Sequence, residues 1–352
     1  MTAPTIVRRD LIRFLSLSAV ALGVTLPAVP ALSADVPKDQ TILNATYDIG
    51  RELFSKINPL FLEHWQKQHG SKLKIDQSFG GTSRQAQDII QGKKADTVTF
   101  NQVTDIDILA RRKLVKPDWA EQFPNNSSPY YSTIAFMVRK GNPKGIKNWD
   151  DLAKPDTKLI FPNPKTSGNA RYSYLGAWIY AQEAFKGDEA AVKQFITSLL
   201  GNVENFPTGG RAATVAFTQH GQGDVLLTFE SEIKNLLADP AFKDQGYELV
   251  VPPVSVLAEF PVAIVDKVVD AKGTREVAKA YLDFQYSPDV QQLLADHNLR
   301  PSNAEVAAAN AKRFDETRLV NPTSLQGGWA GIQKDHFASG ATLDQLMAAR
   351  RR

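Results

Sequence analysis

The sequence predicts an α/β fold of two lobes joined by two crossing strands, with a ligand cleft between them. Three observations carry this expectation. The chain has 352 residues, room for two domains of ordinary size. From Asp39 onward strand-like and helix-like segments alternate, the rhythm of a mostly parallel sheet covered by helices. Two apolar strands, Tyr131 to Arg139 and Pro261 to Val269, bracket a second alternation of the same kind. An insertion bracketed in this way gives two lobes, and the cleft between them is a common place for a small ligand.

The chain begins with a segment that does not belong to this fold. Arg8, Arg9 and Arg13 lead into an apolar run from Phe14 to Leu26, followed by small residues and proline. That order reads as an export signal over residues 1–34, with cleavage after Ala31 or after Ala34. Arg8-Arg9 is a loose match to the twin-arginine export pattern. The mature chain then divides into lobe I, residues 35–135 and 258–352, and lobe II, residues 136–257.

Thr41 to Thr46 reads as a short buried strand. Leu53, Phe54, Ile57, Leu60, Phe61 and Trp65 recur at helical spacing, and Pro59 is expected to kink or split that helix. Leu73 to Phe79 alternates as a strand, Ala86, Ile89 and Ile90 mark a helix ending near Gly92, and Thr97 to Phe100 is a strand again. Inside the insertion, Lys158 to Pro162 and Asp224 to Phe229 read as strands, with a helix through Tyr174 to Phe185.

Composition narrows the chemistry. Cysteine is absent, which removes disulfides, thiolate metal sites, thiol nucleophiles and lipid attachment through cysteine. The net charge is +3, of which the first 34 residues (three arginines and Asp10) carry +2, leaving +1. A nearly neutral chain without a basic run lacks the footprint of a nucleic-acid binder. An anion here would be held by local donors rather than by the overall field.

Four loops share one design, in which a strand ends, small or polar residues turn the chain, and a helix starts. They are Tyr47 to Glu52, Gly80 to Gln85, Thr166 to Arg171 and Thr208 to Thr214. Helix starts carry backbone N–H groups without intrahelical partners at a positive dipole end. Glycine allows close approach to that backbone, and Ser and Thr add hydroxyl donors. Two such loops on each lobe, converging on one cleft, would wrap an anion in neutral donors.

Several ordered motifs then become recognisable. They include Asn44-Ala45-Thr46-Tyr47-Asp48, Gly80-Gly81-Thr82, Ala95 to Asp105 (ADTVTFNQVTD) and Arg139-Lys140-Gly141-Asn142-Pro143. Further on come Phe161 to Tyr172 (FPNPKTSGNARY), Gly221 to Leu226 (GQGDVL) and Leu257 to Pro261 (LAEFP). Over essentially the whole mature chain the sequence resembles the sulfate- and thiosulfate-binding proteins of bacterial ABC importers. The resemblance implies a type II periplasmic-binding-protein fold, delivery of the anion to membrane permease and ATPase subunits, a periplasmic monomer and no cofactor.

Carried over residue by residue, it implies an anion site made of the Asp48 N–H, the hydroxyl or N–H of Thr82, Ser167, the N–H groups of Gly168 and Asn169, and the Gly210 N–H. Around it, Phe229, Arg171, Arg211 and Ser83 line the cleft or support the donors. Phe229 stands where sulfate-specific relatives place a tryptophan indole. That departure and the Asn101-Gln102-Val103-Thr104 segment bring the chain nearer the thiosulfate-binding branch.

Other chemistry finds less support. Asp48 reads as a helix cap, with a general-base role as its alternative. His64, His69, His220, His297 and His336 are scattered, with no metal-ligand spacing. Arg51, Arg84, Arg171 and Arg211 sit in first helical turns, against the dipole, and are expected to serve the site or pair with acids such as Glu52 and Asp88. The competing function is a secreted hydrolase or transferase on a similar fold, or a receptor for another tetrahedral oxyanion such as molybdate.

Overall fold

The computed structural model describes residues 40–350, so the export signal expected over 1–34 lies outside the described residues. Strand β1 (Gln40–Thr46) pairs in parallel with β2 (Leu73–Phe79) on one side and β3 (Thr97–Thr99) on the other. Helix α1 (Arg51–His69) connects β1 to β2, and α2 (Thr82–Ile90) connects β2 to β3. Helix α1 runs unbroken through Pro59 for 19 residues, where a split was an expected outcome. Its buried stripe of Leu53, Phe54, Ile57, Phe61 and Trp65 explains this. Each of those side chains is worth roughly 1.5–3 kcal/mol on burial, against about 3 kcal/mol for an interior proline.

A second, five-stranded sheet has the order β7-β6-β8-β5-β9, formed by β5 (Ile134–Val138), β6 (Leu159–Ile160), β7 (Val203–Asn205), β8 (Val225–Phe229) and β9 (Glu248–Val250). Helices α3 (Val103–Arg111), α4 (Gly168–Ala184), α5 (Glu189–Gly201), α6 (Gly210–Thr218) and α7 (Glu230–Ala238) cover the two sheets. Separate cores sit under each: Val98, Phe100, Ile106 and Leu109 in the first, Met137, Ile160, Phe217 and Leu226 in the second.

The first crossing lies where expected but is two strands, β4 (Tyr130–Ser132) and β5, divided at Thr133. β4 belongs to a small antiparallel sheet and β5 to the five-stranded one, so the chain changes sheet at Thr133. The second crossing is Val254 to Glu259, upstream of the expected Pro261 to Val269. Thr133 Oγ1 donates to the Val256 carbonyl at 2.8 Å and Ser255 Oγ to the Ile134 carbonyl at 2.8 Å, holding the crossings side by side. Val262–Ile264 is instead an edge strand antiparallel to β3, and Asp266–Lys272 is a helix. The signal was in the spacing, since Val265, Val268 and Val269 repeat with a helical period rather than alternating.

The end of the chain also departs from its expected place in lobe I. Helix α8 (Thr342–Ala349) packs on α5, Lys165 pairs with Asp344 at 2.5 Å, and the Tyr174 hydroxyl meets His336 Nδ1 at 2.8 Å. Trp329 touches the first core and, at 6.1 Å between ring centroids, Tyr172 of α4. The tail therefore lies across both lobes, because its aromatic residues find partners on α4.

Candidate anion-binding site

All four loops end in helix starts, as their residues predicted: the short turn Asp48–Gly50 leading into α1, then α2, α4 and α6. None of the four is capped by the side chain of its own N-cap residue. The N–H groups of Asp48, Gly168, Asn169 and Gly210 occupy first-turn positions where no helical acceptor precedes them.

The loops meet face to face. A side chain at Gly209 would start 2.2 Å from Asp48 Oδ2, and one at Gly168 would start 2.3 Å from Asn101 Oδ1 and 2.7 Å from Thr82 Oγ1. Only glycine permits either approach. The same point on Gly210 lies 3.6 Å from both Asn169 Nδ2 and Asp48 Oδ1. Thr82 and Gly168 thus adjoin on one side, Asp48, Asn169 and Gly210 on the other, and Ser167 precedes Gly168 with 2% of its surface exposed.

Acidic groups in this region are already satisfied. Asp48 Oδ1 accepts the Ile49 N–H at 3.1 Å and Oδ2 the Arg211 N–H at 3.0 Å. Burial pushes the Asp48 carboxyl up, and those two N–H donors oppose it. Its carboxylate is a cap, for its own turn and for α6 of the other lobe. Asp105 is fully buried, pairs with Arg171 Nη1 at 3.0 Å and accepts the hydroxyls of Thr82 at 2.8 Å and Ser83 at 3.0 Å. Burial raises the Asp105 carboxyl while Arg171 lowers it.

The two hydroxyls of the site differ in what they already bond. A hydroxyl has one proton. That of Thr82 is shared between Asp105 and Asn101, which it approaches at 2.9 Å, so the hydroxyl is already spent. Ser167 is the converse case: its N–H bonds to the Asn163 carbonyl at 3.0 Å, leaving the hydroxyl.

Two of the four arginines, Arg171 and Arg211, reach across the cleft. Arg171, 6% exposed, also reaches Thr104 Oγ1 at 3.0 Å and the Pro164 carbonyl at 3.1 Å. Arg211 pairs with Glu52 at 2.8 Å and Arg84 with Asp88 at 2.9 Å, the partners expected for them. Arg51 lies 4.3 Å over the Phe79 ring. Phe229 is fully buried and faces aromatic neighbours, Phe260 at 5.0 Å and Tyr172 at 6.4 Å.

Sequence reasoning passed over Asp105, Thr228 and Glu232. Asn169 Nδ2 donates to Thr228 Oγ1 at 2.8 Å, and the Thr228 and Thr214 hydroxyls donate to the two oxygens of Glu232. Burial raises the Glu232 carboxyl to about 7. A Glu in a first turn looks like ordinary dipole compensation, and only the fold places it behind Asn169.

Comparison with known proteins bears on the whole chain. It is 52% identical over 312 residues to the thiosulfate-binding protein of Escherichia coli K12, covering 88% of this chain and 92% of that one. Identity to the sulfate-binding protein of the same organism is 44% over 324 residues, 92% of this chain and 98% of that one. The thiosulfate-binding protein of Pseudomonas aeruginosa PAO1 is 44% identical over 335 residues, 95% and 98% of the two chains.

The solved structure of the sulfate-binding protein SubI from Mycobacterium tuberculosis H37Rv superposes with a TM-score of 0.76 and 30% identity, covering 85% of this chain and 99% of that one. A periplasmic thiamin-binding protein, 18% identical over 90% of this chain and 99% of that one, shares the fold at a TM-score of 0.65. The α/β, two-lobed type II architecture expected from the sequence is the one found. Residues 51–300 match the model of the bacterial extracellular solute-binding proteins, and the chain belongs to that family.

Proposed function

We propose that this protein is the receptor of a bacterial ABC importer and closes around sulfate or thiosulfate, handing the anion unchanged to the permease and ATPase subunits. The observation that carries the reading is the meeting of four helix starts, two from each sheet, whose first-turn residues adjoin across the cleft while the nearby carboxylates are occupied by other donors. A dianion there would take hydrogen bonds from Asp48 N, Thr82 N, Ser167 Oγ, Gly168 N, Asn169 N and Gly210 N. The names of the relatives support the same ligands.

In this reading residues 1–34 direct export and are removed, and the mature chain works in the periplasm as a monomer without catalysis. The bulk of lobe I is 35–135 and 258 onward, lobe II is 136–257, and the tail from Trp329 buttresses both. Calorimetric titration with sulfate, thiosulfate, molybdate and phosphate at pH 8 tests it. Sulfate and thiosulfate should bind tightly and be recovered unaltered. Phosphate at pH 8 is mainly the monohydrogen dianion and so always keeps a proton, and a donor facing donors costs about 1–3 kcal/mol, roughly tenfold to a hundredfold in affinity. Equal affinity for phosphate and sulfate, or a chemically altered ligand, would refute the reading.

A further inference from the structure

Gln102 caps α3 through its carbonyl, Oε1 accepting the Thr104 N–H at 3.4 Å. That bond fixes which end of the amide is the donor and leaves Nε2 with both hydrogens unspent. Gln102 has no exposed surface, and Nε2 finds no hydrogen-bond partner among the described residues. A buried donor without an acceptor costs about 1–3 kcal/mol, so native structures tolerate few of them.

Its surroundings explain the exception. The Gln102 Cβ lies 2.6 Å from where a side chain at Gly168 would start, so Gln102 packs on the first residue of α4. Of the neighbouring acceptors, Asn101 Oδ1 is committed to Thr82 and both Asp105 oxygens to Thr82, Ser83 and Arg171, while the buried Asn169 Oδ1 also has no partner among the described residues.

We infer that the Gln102 side-chain amide is a further donor to the bound sulfate-class dianion, a specificity-determining contact alongside the N–H groups of Gly168 and Asn169. This rests on the oxyanion-receptor reading and adds a ligand contact to it. A neutral amide suits the place. It supplies an N–H to the anion without the desolvation cost of a second buried cation beside Arg171. It also selects against ligands that present a proton there.

Gln102→Glu separates the donor from the cap. Glu keeps an oxygen for the Thr104 N–H but, when ionised, offers no proton; once protonated it donates again through O–H. Sulfate remains a dianion throughout the range used. Titration calorimetry with sulfate should show Gln102→Glu weaker than wild type by about tenfold to a hundredfold at pH 8. The ratio to wild type should close towards unity as pH is lowered to about 5. Gln102→Leu, without donor or cap, should lose affinity by a similar factor at both pH values, and its melting temperature without anion shows that it is folded.

If Gln102→Glu binds sulfate within about twofold of wild type at pH 8, or if its deficit is the same at both pH values, the assignment is overturned. Wild-type protein that binds neither sulfate nor thiosulfate overturns the receptor reading itself, a result separate from any property of the variants.

Discussion

The carboxylate of Asp48 accepts the backbone N–H of Arg211 at 3.0 Å, so a residue that opens α1 in one lobe caps α6 in the other. An N-cap acceptor is worth about 0.5–2 kcal/mol. Here that energy is gained only when the lobes meet, so it contributes to closure rather than to either lobe alone. Asp48→Ala should therefore weaken sulfate binding by roughly twofold to thirtyfold while barely changing the melting temperature without anion. Asp48→Asn keeps one acceptor for the Arg211 N–H, at the cost of an NH2 facing the Ile49 N–H, and removes a charge near the dianion, so it should bind more tightly than Asp48→Ala. Titrations in which the two variants lose equal affinity would rule out the capping role.

A second tie across the cleft is the pair Arg171 and Asp105, at 3.0 Å with Asp105 wholly buried. Removing one partner of a buried pair costs about 3–5 kcal/mol, because the other charge is stranded. Arg171→Met should show a loss of that order in urea unfolding of the closed, sulfate-saturated protein at pH 8. Asp105 can escape by taking a proton, since burial already raises its carboxyl, so the loss should shrink at pH 5. The double variant Arg171→Met with Asp105→Asn should recover most of the stability at both pH values. An undiminished loss in the double variant would mean that Arg171 acts through packing on Phe337, whose ring lies 4.9 Å away.

Much of this architecture was legible because local signals and the fold agree. The loops at Asp48, Thr82, Ser167 and Gly210 combine glycine or a hydroxyl with a helix start, and each became one. What the sequence hid were pairings over long separations. Asp105 with Arg171, Asp48 with Arg211 and Gln102 beside Gly168 become neighbours only through closure of the lobes. The misplaced second crossing has a different cause. Val262 to Val269 is apolar whether read as strand or helix, and it is in fact a short strand followed by a helix.

Phe229 illustrates how packing changes an expectation. Its ring sits between Phe260 and Tyr172 with no exposed surface. An indole there would overfill an aromatic layer, at about 1–3 kcal/mol. Phe229→Trp should lower the melting temperature and weaken sulfate and thiosulfate binding in parallel, through the neighbouring Thr228 that holds Asn169. Stronger sulfate binding together with weaker thiosulfate binding would instead give residue 229 a direct part in selectivity.

The pH dependence of stability should contain two opposed contributions. Burial raises Glu232 from its usual 4.5 to about 7, with Asp48 adding to the rise and Thr214, Thr228 and Arg211 opposing it. Between those values the folded protein holds a proton that the unfolded chain has lost, so this group makes stability fall as pH rises. Burial lowers His336 from its usual 6.5 to about 4, among Tyr174, Trp178 and Phe337 and with Lys193 and Asp335 as the nearby charges. There the unfolded chain holds the extra proton, so stability falls as pH drops through that window. Each contribution amounts to about 3 kcal/mol over its range, enough to reshape the profile yet nearly cancelling in the wild type between about pH 4.5 and 6.5. Urea unfolding across pH 4.5 to 8 should separate them. Relative to wild type, Glu232→Gln should gain stability progressively as pH rises, and His336→Phe should gain it progressively as pH falls. The other shifted carboxyls, including Asp48, Asp105 and Glu259, are common to all three proteins and drop out of the differences. If the two variants trace parallel curves, at least one of these groups titrates with its unfolded pKa and the opposition does not exist.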